Sequence, residues 1–134
     1  MNYIQDRPRW STVAAALYVL WGILHLGLGV TMLAGGLRGG TSAGELAAES
    51  TMFFVCATVF GGQAMGVALA MNRLNSRRGF WLNLVPLGLV DVAFLIVIVA
   101  PGHVDLVGGL SGPLIWALAA ASSVMAQRKE PVTT

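Results

Sequence analysis

The sequence predicts an all-α integral membrane protein, a compact bundle of four transmembrane helices with both termini in the cytoplasm. Three observations carry this prediction. Of the 134 residues, 56% are hydrophobic and 10% charged, with a mean hydropathy of +0.74, whereas a soluble domain carries about 25% charged residues to keep its surface hydrated. The apolar residues gather into long runs, each near the ~20 residues that cross a hydrocarbon core of about 30 Å. The basic residues collect at alternate ends of those runs. Spans and short connections consume nearly the whole length, so a single domain is expected, with no soluble domain beside it.

The first span covers about 10–34, since nothing between Arg9 and Arg38 is charged. A positive flank before an apolar run also describes a signal peptide, but this run is far longer than the roughly 7 to 15 apolar residues such a peptide needs. The second span, about 46–72, has its uncharged run between Glu49 and Arg73. Its helix is expected to start earlier, because Ser42-Ala43-Gly44-Glu45 has the S-x-x-E spacing of a capping box. After the break "NRLNSRRG", Ser76 or Gly79 opens the third span, about 79–100, which Pro101-Gly102 stops. The fourth, about 106–127, begins in "VGGLSGP", whose glycines and Pro113 predict an irregular or kinked opening.

Orientation follows from charge. Arg7 and Arg9, then Arg73, Arg77 and Arg78, then Arg128 and Lys129 all fall on one side, which the positive-inside rule makes cytoplasmic. The opposite loops hold Arg38 with Glu45, Glu49 and Asp105. Trp10, Phe80 and Trp81 lie near the cytoplasmic boundary, where amphipathic rings are favoured. The expected location is a bacterial cytoplasmic membrane, with membrane lipids as the first partners.

Composition also excludes function classes. The net charge is +2 and the isoelectric point about 9.2, yet the basic residues never form a solvated face, so nucleic acid is not an expected partner. Cys56, the single cysteine, cannot form an intramolecular disulfide. His25 and His103 lie at different depths and do not suit a bis-histidine haem. The methionines are scattered, and loop charges such as Glu45 and Glu49 are read as solvated. No metal site is expected and no cofactor is indicated. Phosphate loops, nucleophile elbows and CxxC pairs are missing. Gly62 and Gly66, and Gly22 with Gly29, have the spacing of tight helix contacts, read first as packing within the chain and otherwise as association between chains.

The informative residues are polar ones in apolar runs. Asp91 lies about 20 Å along its helix from Arg78, near the bilayer midplane. An aspartate there opposes insertion by roughly 3 kcal/mol, offset by about a dozen Leu, Ile, Val and Phe at about −0.5 kcal/mol each. It must face the interior and find a partner. His25 lies at a similar depth, with Gly22, Gly29 and Tyr18 on its face, and Gln63 lies about 15 Å from Arg73 in the same layer. Asn83 sits shallower. These residues predict a hydrogen-bonded cluster in which Asp91 is either neutral or charged against a protonated His25.

The first function expected is a site within the bundle that binds a lipophilic small molecule. Asp91 and His25 are the candidate catalytic acid-base pair there, and Gln63, Tyr18 and Asn83 the ligand-binding residues. The alternative is an accessory or scaffold subunit of a larger membrane complex, or of a homo-oligomer, in which the polar cluster fixes packing. A proton-coupled transporter ranks third, because four helices leave little room for a path and no inverted repeat is evident.

Overall fold

The computed structural model describes residues 9–39 and 44–134. Within them the chain is helical: α1 (Trp10–Gly39), α2 (Glu45–Ala70), α3 (Arg77–Phe94) and α4 (Leu106–Lys129). A short 3₁₀ turn, Asn72–Leu74, joins α2 to α3, and a π turn, Leu95–Val99, extends α3. All four long helices are apolar and long enough to cross a membrane. Consecutive helices pack on one another and α1 closes the ring against α4. Leu89, Ile96 and Val107 turn 67%, 65% and 85% of their surface outward, an apolar exterior that suits lipid rather than water.

The α1–α2 seam is the tightest. A Cβ at Gly61 would lie 2.6 Å from the Leu26 nitrogen and 2.8 Å from the Gly22 carbonyl oxygen, so the absence of a side chain lets the two backbones touch. Gly22 and Gly29 both face α2, as their spacing predicts. Gly62 and Gly66 pack against none of the described residues: a Cβ at either would meet nothing within 4 Å among them. Neighbouring Gly61, Ala64 and Ala68 carry the α2 contact face and are buried.

The end of the bundle that holds Trp10 and Lys129, here the terminal end, is laced by hydrogen bonds. Ser11 donates from its backbone N–H (3.2 Å) and its hydroxyl (2.6 Å) to the Glu130 carboxylate. That places a negative group at the N-terminus of α1, where the helix dipole favours it. Asn75 adopts the left-handed conformation at φ 52°, which a short polar side chain tolerates. Its amide donates to the carbonyls of Ala126 (3.1 Å), Glu130 (3.3 Å) and Pro131 (3.0 Å). Arg77 N–H donates to Thr133 O (2.9 Å) and Thr133 N–H to Asn75 O (3.1 Å), so residues beyond α4 are stitched to the α2–α3 turn.

Prolines and caps set the remaining boundaries. Ser76 caps α3, accepting from Gly79 N–H (3.3 Å). Ser42, the expected cap of α2, lies outside the described residues, and α2 is described from Glu45. The π turn precedes Pro101, which cannot donate to the carbonyl four residues back. Ala100 N–H reaches Leu95 O (2.8 Å) and His103 N–H reaches Ile98 O (3.0 Å) instead. The irregular opening expected for α4 does not occur. Asp105 caps it, accepting from Gly108 N–H (2.7 Å), and the helix runs unbroken to Lys129. Its early glycines serve close approach: a Cβ at Gly109 would come 2.8 Å from Val99.

Candidate functional site

Beyond the terminal half the helices separate around a cavity of about 580 Å³, within the roughly 300–1,000 Å³ range of small-molecule sites. All four helices contribute. Leu24, His25 and Leu28 come from α1 with Trp21, Phe53 to Phe60 from α2, Val90 to Phe94 and the π turn from α3, and Gly108 to Gly112 from α4. The wall is mainly hydrocarbon and aromatic. The cavity is not sealed, because Leu28, Phe53 and Val97 on its walls are 49%, 45% and 60% exposed.

Asp91 and His25 stand at its inner end. Asp91 is 2% exposed, and its Oδ2 accepts the indole N–H of Trp21 (2.9 Å). This bond crosses the bundle from α1 to α3. Trp21 lies one turn before His25, and the two rings stack at 3.6 Å between centroids and 17° between planes. His25 Nδ1 lies 2.9 Å from the Trp21 carbonyl oxygen. A carbonyl can only accept, so Nδ1 carries a proton, and in the neutral ring Nε2 carries the lone pair. A Cβ placed on Gly112 would lie 3.4 Å from His25 Nε2 and 3.8 Å from Asp91 Oδ1. Both free acceptor atoms thus look into the same small space, kept open by the missing side chain.

The other residues singled out from the sequence lie elsewhere. Gln63 does not line the cavity; its amide donates to Leu82 O (2.9 Å). Leu82 is four residues before Pro86, whose nitrogen bears no hydrogen, so Gln63 supplies the donor that the helix lacks. Asn83 is fully buried in the terminal half, donating to Asn72 Oδ1 (3.0 Å) and Ala64 O (3.2 Å). Tyr18 is fully buried against Ser123 of α4, but the two hydroxyls do not meet in hydrogen-bonding geometry. The predicted single cluster is therefore divided: His25 and Asp91 face one space, while Gln63, Asn83 and Tyr18 each lie apart from it. Among the described residues, no three of His, Cys, Asp and Glu converge to hold a metal ion.

Sequence reasoning missed Trp21, the residue that holds Asp91. A signal existed: Trp21 is three residues after Tyr18 and four before His25, and a buried indole N–H is a donor that needs an acceptor. Gly112, which opens the space, left no comparable signal. No family model, curated protein or solved structure matches the chain.

Proposed function

We propose that the chain is a multi-pass protein of a bacterial cytoplasmic membrane, with both termini cytoplasmic, that binds a lipophilic small molecule in this cavity. One observation carries the reading: a cavity of about 580 Å³ with apolar walls has a polar inner end where His25 and Asp91 face the same space. An apolar body with a polar head matches that lining. The exposed rim residues favour entry sideways from the hydrocarbon phase. Arg9, Arg73, Arg77, Arg78, Arg128 and Lys129 at the terminal end support the orientation. His25 Nε2 and Asp91 Oδ1, which face one space, also support proton exchange with a bound molecule.

Cys56 lines the cavity and provides the test. Its labelling by a maleimide is measured in lipid nanodiscs with and without 1-decanol, with Cys56→Ser as background. Decanol should slow labelling at least threefold at saturation, and Ala57→Trp, which fills the cavity, should remove the effect. A labelling rate indifferent to decanol and to other ten-carbon probes would falsify the reading. An accessory-subunit role is the second reading, favoured by the open Gly62–Gly66 face; isolation from mild detergent without any retained partner would count against it.

A further inference from the structure

The hydrogen-bonding groups around the cavity are unevenly matched. Each strong side-chain donor on its wall is already engaged. Trp21 Nε1 donates to Asp91 Oδ2 (2.9 Å), His25 Nδ1 to the Trp21 carbonyl (2.9 Å) and Ser111 Oγ to the Gly108 carbonyl (2.7 Å). No lysine or arginine lines the cavity, and the amides of Gln63 and Asn83 bond to Leu82, Ala64 and Asn72. With His25 neutral and Asp91 ionised, what remains is acceptor: His25 Nε2 and Asp91 Oδ1, which form no hydrogen bond among the described residues. A ligand head that only accepts, such as a ketone, an ester or a carboxylate, finds no strong donor there. A hydroxyl offers one hydrogen to two acceptors. An ammonium offers hydrogens to both and supplies the positive charge that a carboxylate in apolar surroundings lacks. Aromatic rings on the same wall, Trp21, Phe60 and Phe94, suit a cation further.

We infer that the molecule this cavity takes is a lipophilic amine, held through its ammonium N–H groups by Asp91 Oδ1 and His25 Nε2 with its hydrocarbon along the aromatic and aliphatic wall. This rests on the cavity being a ligand site at all, and the test separates the two claims. Probes with one ten-carbon tail and different heads, decylamine, decyltrimethylammonium, decanol, 2-dodecanone and decanoate, are titrated against Cys56 labelling in zwitterionic nanodiscs. Decylamine should half-protect at a concentration at least tenfold below that of decanol. Decyltrimethylammonium, charged but without N–H donors, should need at least threefold more than decylamine. Asp91→Asn should bring decylamine within about threefold of decanol, and continued saturable protection by decanol shows that the variant is folded. The head-group comparison on the unmodified chain stands even if that variant is unstable. Equal protection by decanol and decylamine, or stronger protection by the ketone or decanoate, overturns the amine while leaving the cavity as a ligand site. No protection by any probe overturns both.

Discussion

At the terminal end, Ser11, Asn72, Asn75 and Asn83 each bond to another element, and the residues after α4 are tied down with them. At the far end the same four helices part around a cavity of about 580 Å³ whose rim is exposed. The difference lies in how polarity is used. Near the termini, polar side chains join backbone to backbone and leave little freedom. In the middle, Trp21, His25 and Asp91 satisfy one another in part and keep two acceptor atoms free. A firm base beneath an open chamber is the arrangement expected where a site must be preorganised but reachable.

The contrast can be broken first at Asn75. Asn75→Ala removes the donor to three carbonyls and leaves alanine in a left-handed conformation, so thermal unfolding in detergent should report a loss of about 3 kcal/mol. Trp21→Phe, where the two regions meet, should cost about 2 kcal/mol by leaving the Asp91 carboxyl without its donor. Adding Asp91→Leu should restore part of that loss; a further loss would mean that Trp21 acts by packing alone. Added volume separates the regions directly. Ala64→Leu, at a position with no exposed surface in the core, should cost about 2 kcal/mol, whereas Ala57→Leu, into the cavity, should stay within about 0.5 kcal/mol. Equal costs would mean that the cavity is filled or closed in solution. A smaller loss than at Asn75, Trp21 or Ala64 is expected at the latch between α1 and the end of α4: Glu130→Ala should lower stability by about 1 kcal/mol through loss of the Ser11 contacts.

The four helices were readable because hydropathy over twenty residues outweighs local ambiguity. The break at 72–76 was readable from asparagines, arginines and a serine cap. Counting rise put Asp91 and His25 at a similar height along their helices, and the structure does bring them to one space. Counting rise gives height but not azimuth, and that is where the reading of the site parted from the structure. Gln63 shares the middle layer but turns to the α2–α3 seam, because Pro86 leaves the Leu82 carbonyl without its helical donor. Gly62 was chosen over its neighbour Gly61 as a packing residue, and one position around a helix is about 100° of rotation. Trp21 escaped notice because a tryptophan in an apolar run reads as bulk until its acceptor is known.

The Trp21–Asp91 bond links α1 to a helix made 70 positions later in the chain, and this has a consequence for biogenesis. When α3 leaves the ribosome its acid needs a donor, and the donor is already waiting on α1, which is synthesised earlier. Separate expression of the second hairpin should therefore give inserted but short-lived product, and supplying the first hairpin in trans should stabilise it.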